Sequence, residues 1–148
     1  MVDSGNQAFA GEADYETHYT DMIQAALRRD PKAVVHATYE PVGQSILFTV
    51  EVKNLCGETL ANDTNAAAIH AFVYRTKPAG VVTTNLLTTI SSPIQLLEPN
   101  QTESYTLQTP ELNATNWDDL HFLTLVDYVP ADGQGASDML QAAEAVKK

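Results

Sequence analysis

The sequence predicts an all-β protein, an antiparallel β-sandwich of about seven strands preceded by one amphipathic helix. The first observation is the run 45–54, in which apolar and polar residues alternate as on a half-buried strand. Its inward set is Ile46, Phe48, Val50 and Val52. The second is a series of short runs, about ten residues apart, separated by Gly, Pro and Asn turns. The third is size: 148 residues, 44% of them hydrophobic, suffice for one domain with its own core.

The N-terminal part of the chain divides into two predicted segments. Residues 1–12 are small and polar and are predicted to be a tail or linker. Residues 13–30 are predicted to form the helix, because apolar residues recur there at helical spacing. This apolar stripe consists of Tyr15, Tyr19, Met22, Ile23, Ala26 and Leu27. Asp14 can cap the start and Pro31 stops the helix, so the sandwich is expected over residues 31–148.

The strands are read from runs of period two and the turns between them. They are predicted over residues 33–40, 44–54, 67–75, 102–109 and 120–129, with one or two more within 81–90. Residues 57–65 are predicted to be a polar loop, and 78–80 and 97–100 to be turns. The run 120–129 is apolar on both faces, which predicts a central strand. Residues 138–148 fit either a helix or a last strand over 139–143, and the strand is preferred. Such a series of strands is typical of an immunoglobulin-like sandwich.

Charge and composition exclude several classes of partner. The formal net charge is −11, so the surface repels nucleic-acid backbones and anionic membrane surfaces. No apolar run approaches the roughly 20 residues of a membrane-spanning helix, and residues 1–11 lack the features of a signal peptide. We therefore expect a mature fragment of a protein that is extracellular or at the cell surface, with a cytoplasmic protein as the alternative. Cys56 is the single cysteine, which excludes an internal disulfide and predicts a small buried hydrophobe.

Two short motifs resemble those of a known class of domain. The residues Val-Glu-Val-Lys-Asn at 50–54, followed by Gly57, resemble the V-x-V-x-N-x-x-G strand of bacterial immunoglobulin-like modules. These modules include the cell-adhesion-related domain found in bacteria and similar accessory domains of secreted proteins. The turn at 97–102 is similar to their L-x-P-G-x-x turn, although Asn100 replaces the usual Gly and Cys56 replaces a small polar residue. The resemblance covers about residues 33–129 and implies a surface-attached accessory, spacer or adhesion module.

A second likeness concerns the junction between helix and sandwich. An amphipathic helix that leads through a proline-bearing linker into such a sandwich looks like the junction in some secreted multidomain bacterial proteins, where the upstream domain is thioredoxin-like. On that interpretation, residues 14–29 are the last helix of a neighbouring domain. The sequence leaves open whether the helix packs on this sandwich or on that neighbour.

Histidines and acidic residues suggest two metal hypotheses. His70 and His121 lie on predicted strands where they could face the same side of a sheet, but no HxH or HxxxH spacing supports a metal site, and ordinary histidines are the preferred interpretation. Loops at the end of a sandwich often gather oxygen ligands for Ca²⁺. The candidate ligands here are Asp63, Asp118, Asp119 and Asp132. Neither the loop that contains Asp63 nor the acidic loops nearer the C-terminus have the DxDxDG pattern of a calcium loop. Acidic residues that face solvent are therefore the alternative. No other cofactor is predicted.

The sequence predicts no catalytic residue. It contains no nucleophile elbow, P-loop, dinucleotide fingerprint or HExxH motif. Ser, His and Asp residues occur without a motif that joins them, and nothing marks Glu40, Glu51 and Asp127 as a glycosidase pair. Possible N-glycosylation sites are Asn62, Asn100 and Asn113. Trp117, the only tryptophan, is predicted to pack over an end of the core, with stacking on a ligand as the alternative.

These observations predict a non-catalytic binding or spacer module that is one part of a larger secreted protein. Its partner is expected to be another protein or a second copy, bound through loops or an open edge strand, with no nucleic acid and no membrane insertion. Two alternatives stay open. One is a self-assembling subunit of a filament or surface layer that adds a strand to its neighbour's sheet. The other is an accessory domain of a secreted enzyme.

Overall fold

The computed structural model describes residues 30–79, 81–112, 119–131 and 137–148, together with Thr20, Asp21, Gln24, Arg28 and Trp117. Within this part of the chain the elements are β1 (Ala33–Val42), β2 (Ser45–Asn54), α1 (Asn62–Asn65), β3 (Ala68–Ala79), β4 (Val81–Pro93), β5 (Thr102–Gln108), β6 (Leu120–Tyr128), β7 (Asp138–Glu144) and β8 (Val146–Lys147). The first sheet has the order β5-β2-β1-β8 and the second β4-β3-β6-β7. Their packing confirms the predicted all-β sandwich. The predicted tail 1–12 and most of the helix 13–30 lie outside the described residues.

The core lies between the two sheets and is built from the alternating residues. The predicted inward set of β2 is fully buried: Ile46, Phe48, Val50 and Val52 are each 0% exposed. From the opposite sheet, Ile69, Ala71 and Val73 of β3 and Phe122 and Val126 of β6 join the same cluster. Full burial of each large side chain contributes about 1.5–3 kcal/mol. Because the period is two, a slip of one residue would expose this whole set, so the pairing register is strongly specified.

Aromatic contacts join the two sheets at the middle of the core. The ring of Phe122 on β6 stacks on Tyr39 of β1, with 4.0 Å between the ring centroids. It also meets Phe48 of β2 edge to face, at 6.0 Å. Such pairs add about 0.5–1.5 kcal/mol to the burial of their area. Phe122 therefore connects β6 to both central strands of the first sheet.

The buried side-chain amide of Asn54 organises the end of the sandwich. Its Nδ2 donates to the carbonyl oxygens of Glu58 and Leu97, both at 2.9 Å. Its Oδ1 accepts from the backbone N–H of Cys56 at 2.9 Å and also contacts the Cys56 thiol. Asn54 is 0% exposed, so its amide has no access to bulk water. One amide thus holds the connection that leaves β2 and the connection that enters β5.

Several strand ends differ from the prediction. Strand β1 continues through Pro41, because β8 pairs only with Thr38 and Tyr39 and a proline is tolerated where a strand has one neighbour. Strand β3 runs to Ala79 rather than residue 75, since it forms a hairpin with β4 beyond the end of β6. Residues 81–90 belong to one strand, β4, that reaches Pro93. The bounds of β2, β5 and β6 differ from the predicted ones by a single residue.

The prediction of a polar loop over residues 57–65 was wrong in one respect. It contains α1, and Leu60 within it is 0% exposed and forms an isolated bridge with Leu97. Asn100 has a φ of +66°, so the turn before β5 uses the left-handed tolerance of asparagine, as predicted. At the C-terminal end, β7 confirms the preferred strand beside β6. Strand β8, which was not predicted, runs parallel to β1.

Replacing Asn54 by Ala is expected to lower the free energy of unfolding by about 3 kcal/mol, because several buried backbone groups lose their partners at about 1–3 kcal/mol each. The measurement is urea unfolding followed by Trp117 fluorescence. Asn62→Ala is the control, since Asn62 is exposed and its amide donates only a long hydrogen bond of 3.4 Å to Ala67. A loss below about 1 kcal/mol in the Asn54 variant would contradict the role of the amide.

Candidate functional site

The two outer faces of the sandwich differ in chemistry. The outer face of the first sheet is mainly polar: its rows include His36, Glu51 and Ser104, then Thr38, Thr49 and Thr106. The outer face of the second sheet carries apolar residues on all four of its strands: Phe72, Tyr74, Leu86, Leu123, Leu125, Met139 and Ala142. An antiparallel sheet with one solvated face normally has polar residues outward. The second sheet is therefore the face that indicates a contact with another surface.

A shallow groove crosses this outer face. It has a volume of about 410 Å³ and is lined by Phe72, Tyr74, Leu86 and Leu123. Leu86 is 59% exposed, the highest value among the large apolar side chains described on this face. The ring of His121 stacks on Tyr74, with 5.1 Å between the centroids, and forms the polar border of the groove.

Next to the groove, the register brings a serine, a histidine and an aspartate together on three adjacent strands. His70 Nδ1 lies 2.7 Å from Ser91 Oγ, and His70 Nε2 lies 3.1 Å from Asp127 Oδ1. With its proton on Nε2, His70 donates to Asp127 and accepts from the Ser91 hydroxyl, which satisfies all three groups. No sequence motif indicates this set, since Ser91 and Asp127 lie 21 and 57 residues from His70 along the chain.

The Ser91–His70–Asp127 network has the residue types of a hydrolase triad but not its surroundings. Ser91 is exposed on the open face of an edge strand, and the ring of His70 is 26% exposed. Backbone N–H groups of a sheet lie in the plane of the sheet, whereas the Ser91 hydroxyl stands off its face. They are thus not aimed at an oxyanion formed at Ser91, which is where most of the stabilisation in acyl transfer arises. The geometry is that of side-chain hydrogen bonds that link three neighbouring strands, a cross-strand tie.

Strand β4 forms one edge of the second sheet and has an unusual composition. Its 13 residues, VVTTNLLTTISSP, include no charged side chain, and its proline is at the last position. The other edge strands carry charge: Glu103 on β5, Asp138 and Glu144 on β7, and Lys147 on β8. Among the described residues, β3 is the only strand that pairs with β4. Natural proteins usually protect such an edge with charge, so the long uncharged β4 is a candidate for pairing with another chain.

The hairpin formed by β3 and β4 extends beyond the sandwich. Strand β6 pairs with β3 only as far as Arg75, whereas the pairs of β3 with β4 continue to Ala79 and Val81. The last part of the hairpin is thus a two-stranded arm. A bulge lies at its base, where Val73 pairs with Thr88 and Tyr74 pairs with Leu86, so Leu87 is the extra residue.

A second concavity, of about 430 Å³, lies where the chain enters β1. Lys32 Nζ donates to Asp138 Oδ2 at 2.7 Å and lies 5.7 Å from the centroid of the Tyr128 ring. Cys56 lines the same concavity and is 8% exposed, and burial raises the pKa of its thiol. A protonated, buried thiol is a poor nucleophile, so Cys56 fits its predicted structural role.

The predicted metal and carboxylate sites do not assemble in the described residues. His70 and His121 do share an outer face, but β3 and β6 place them four residues apart, about 13 Å along the sheet, too far for one ion. Among the described residues no three His, Cys, Asp or Glu side chains group to hold a metal. Asp127 lies on the outer face of the second sheet and so cannot pair with Glu40 or Glu51, which lie on the first sheet four residue positions apart.

The remaining predicted sites have separate outcomes. Asp63 is exposed and accepts from the Thr64 hydroxyl, and Asp119 is also exposed, while Asp118 and Asp132 lie outside the described residues. The calcium hypothesis therefore stays a prediction. Asn62 and Asn100 are exposed, Asn113 lies outside the described residues, and glycosylation stays a prediction. Trp117 packs against the core, as its preferred interpretation requires.

Comparison with known proteins gives a weak likeness of fold. No protein-family model matches the chain, and no curated protein matches it by sequence. The sporulation control protein Spo0M from Bacillus subtilis is similar with a TM-score of 0.47 and 9% identity, over 79% of this chain and 49% of Spo0M. A domain of the outer membrane lipoprotein Omp28 from Porphyromonas gingivalis has a TM-score of 0.43 and 13% identity, over 81% of this chain and 91% of that domain. OgpA from Akkermansia muciniphila has a TM-score of 0.41 and 13% identity, over 79% of this chain and 28% of OgpA.

The chain thus spans about half the length of Spo0M and less than a third of OgpA. Likeness at these identities and TM-scores defines no family and carries no information on function.

Ser91 is expected to be unreactive, because the N–H groups of the sheet around it are not aimed at an oxyanion formed there. Treatment with a fluorophosphonate probe should leave the intact mass of the protein unchanged. His70→Ala should lower the free energy of unfolding by about 1 kcal/mol through loss of the tie. A covalent adduct that forms on the wild type and disappears in His70→Ala would instead show an activated nucleophile.

Alkaline pH is expected to destabilise the protein. Burial raises the pKa of Tyr128, and burial with the hydrogen bond to Glu103 raises the pKa of Tyr105. The hydrogen bond to Asp138 raises the pKa of Lys32. These groups hold protons more tightly when folded, so their contribution is complete below their ordinary pKa values of 10.0 and 10.5 and is lost as the pH rises above them.

Urea unfolding between pH 7 and pH 11 measures this loss. In Tyr105→Phe the decline should be less steep than in the wild type, since one of the titrating groups is absent. Parallel declines in the two proteins would contradict the assignment to Tyr105.

Proposed function

We propose that this chain is a non-catalytic binding module of an extracellular or surface-associated protein, and that it binds a protein partner by strand addition at β4. The observation that supports this most directly is the uncharged 13-residue edge. In strand addition, main-chain hydrogen bonds supply affinity and side-chain pockets supply specificity. On β4 the exposed side chains of Leu86 and Leu87, 59% and 42% exposed, offer apolar contacts beside the open edge.

The charge of the chain narrows the class of partner that it can bind. A net charge of −11 disfavours an acidic partner and favours a neutral or basic segment with β-branched or aromatic residues. Nucleic acid is disfavoured on the same ground. Among the described residues no helix is long and apolar enough to cross a membrane.

The strand order supports an immunoglobulin-like assignment for the module. In that class the first, second and fifth strands share one sheet, and the third, sixth and seventh share the other. Here β1, β2 and β5 lie in the first sheet, and β3, β6 and β7 lie in the second. Strand β4 extends the second sheet beside β3, which is where it presents its free edge. A module of this kind within a larger secreted protein fits the adhesion or spacer role.

Self-assembly is the second candidate, and the same edge favours it. Two copies of β4 that pair antiparallel about a two-fold axis would close into a dimer. A filament or surface layer would need a second edge in addition. The accessory domain of a secreted enzyme stays a prediction that no feature of the described residues favours.

Thr89→Lys is expected to block strand addition, because a charged side chain on an edge disfavours pairing with another chain. Thr106→Lys is the matched control: it adds the same charge at an exposed position on β5, an edge of the other sheet. The probe is a set of 12-residue peptides selected from a phage-displayed library on the wild type. We expect Thr89→Lys to weaken their binding by about tenfold or more, a cost of about 1.4 kcal/mol, and Thr106→Lys to leave it unchanged.

Equal binding of the selected peptides to both variants would contradict the assignment to β4. Light scattering over a range of concentrations separates self-assembly from the binding of a different protein. A dimer or polymer of the wild type that Thr89→Lys reduces to monomer would favour self-assembly, and a monomer in every case would favour a separate partner. A form that lacks residues 1–12 tests whether the tail contributes to assembly.

A further inference from the structure

Strand β4 turns the backbone groups of alternate residues towards β3 and towards its open edge. The N–H of Ile94, just beyond the strand, donates to the carbonyl oxygen of Ala67 at 3.0 Å, so these two residues form a hydrogen-bonded pair. In an antiparallel ladder such pairs alternate with pairs that exchange no hydrogen bond. The register then points the N–H and C=O groups of Thr89 and Ser91 to the open edge, while the residue between them and those on either side bond to β3.

The regular part of this open edge is short, because both of its ends are interrupted. Pro93 occupies the next position that faces the edge after Ser91, and a proline has no N–H to donate. At the other end, the extra residue Leu87 breaks the regular pairing. Between these interruptions, Thr89 and Ser91 supply the N–H donors and C=O acceptors that an added strand can use.

We infer that the strand that adds to β4 is β4 of a second copy of this chain, paired antiparallel about a two-fold axis that passes between the two Ile90 residues. The inference rests on the proposed function, because it names the partner of the same edge. In this register Thr89 of each copy lies opposite Ser91 of the other. Since both residues turn their backbone groups to the edge, every N–H and C=O group of these two residues pairs across the axis.

Neighbouring registers pair fewer of these groups. A symmetric register that keeps inward side chains opposite inward ones is centred on a single residue. Centred on Ser91, the pairing places Pro93 opposite Thr89, and the Thr89 carbonyl oxygen has no donor. Centred on Thr89, the pairing places Leu87 of the bulge opposite Ser91. The register centred on Ile90 instead brings the two interruptions opposite each other, outside the bonded pairs.

The side chains of β4 also match one another in this register. Ile90 is half-buried and packs against the core. Ile90 of the second copy lies opposite it at a non-hydrogen-bonded position, where Cα atoms are about 4.5 Å apart, so each isoleucine covers the exposed side of the other. Thr88 lies opposite Ser92 on the inward face, and Thr89 lies opposite Ser91 on the outward face. Cross-strand pairs of hydroxyl side chains of this kind stabilise a sheet.

Charge favours β4 over the other edges for contact between copies. Two copies with a net charge of −11 repel each other, and the edge strands β5 and β7 carry acidic side chains that would add to this repulsion. Strand β4 has no charged side chain and is rich in β-branched residues, which is the kind of segment that its own edge favours. Salt screens the remaining repulsion beyond about 8 Å at physiological ionic strength. The association should therefore strengthen as the NaCl concentration rises.

Analytical ultracentrifugation of the full chain over a range of concentrations tests for the dimer. We expect the wild type to sediment as a dimer at high concentration and to dissociate to monomer on dilution. Thr89→Lys should sediment as a monomer throughout, because it places a charge at the paired edge. The matched control is His36→Lys, at an exposed position on β1, an inner strand of the first sheet, and it should dimerise as the wild type does.

Single cysteines test the register under mild oxidation. Ile90→Cys should form a disulfide-linked dimer, because the two Ile90 positions lie opposite each other at a separation that a disulfide can join. Thr89→Cys is the matched control on the same edge: the two Thr89 positions lie more than about 7 Å apart, so no crosslink should form. Cys56 is present in both variants and is buried, with a thiol whose pKa burial raises, so it should not contribute.

A second pair of variants tests the same register and leaves Ile90 in place. Thr88→Cys and Ser92→Cys should each give no crosslink alone, because each position lies opposite the other in the second copy. Mixed together and oxidised, the two variants should give a disulfide-linked dimer.

A wild type that stays monomeric at every concentration would overturn the inference, as would a species larger than a dimer, because the two-fold pairing uses the open edge of each copy and closes. A crosslink in Thr89→Cys but not in Ile90→Cys, or a dimer that salt weakens, would also overturn it. If the wild type is monomeric but Thr89→Lys still weakens the binding of the selected peptides, strand addition at β4 stands and only the second copy is excluded. If peptide binding is also insensitive to Thr89→Lys, the proposed function fails as well.

Discussion

The sandwich depends on the buried amide of Asn54, which joins two chain connections that would otherwise carry unpaired backbone groups into the core. One connection takes the chain from β2 across to β3, and the other takes it from β4 back to β5. Its hydrogen bonds to Glu58 and Leu97 fix both beside the bridge between Leu60 and Leu97. Because each connection changes sheet, its position determines which strands become neighbours. A single polar side chain at the end of β2 thus has consequences for the order of both sheets.

The contacts proposed for this protein use residues that the core does not. The inward apolar residues of β3 and β6 pack in the core, and outward positions of β3, β4 and β6 carry the groove and the Ser91–His70–Asp127 tie. The free edge of β4 is a third surface available for contacts, formed by backbone N–H and C=O groups rather than by side chains. These surfaces lie side by side on one sheet, while the other sheet presents an ordinary polar face. The two outer faces of the sandwich therefore differ, and the second sheet is the side from which we expect contacts with a partner.

Local patterns in the sequence were sufficient to predict the inward set of β2, the left-handed turn at Asn100 and strand β7. The alternation of apolar and polar residues and the chemistry of turns both act over a few residues. The predicted strands β1 and β3 ended too early, before Pro41 and Pro78. A proline has no N–H to donate, so a strand can contain it only where no neighbouring strand needs that hydrogen bond, and the sequence does not show which neighbours are present. The tie between Ser91, His70 and Asp127 depends on the register of three strands, and no local pattern encodes it. Strand β8 has two residues, too short for any periodicity.

The bulge at Leu87 separates the hairpin into two parts that can change independently. On the side of the sheet, β4 keeps its register with β3 through Thr88 and the residues that follow. In the arm, the loss or gain of one residue would shift the register by one position. Each side chain beyond that point would then lie on the opposite face of the hairpin. A deletion of one codon here would change which side chains the arm presents on each face, while the register of β4 with β3 within the sheet stays the same. The bulge is thus a point at which short insertions and deletions can change the exposed surface of the arm with little effect on folding.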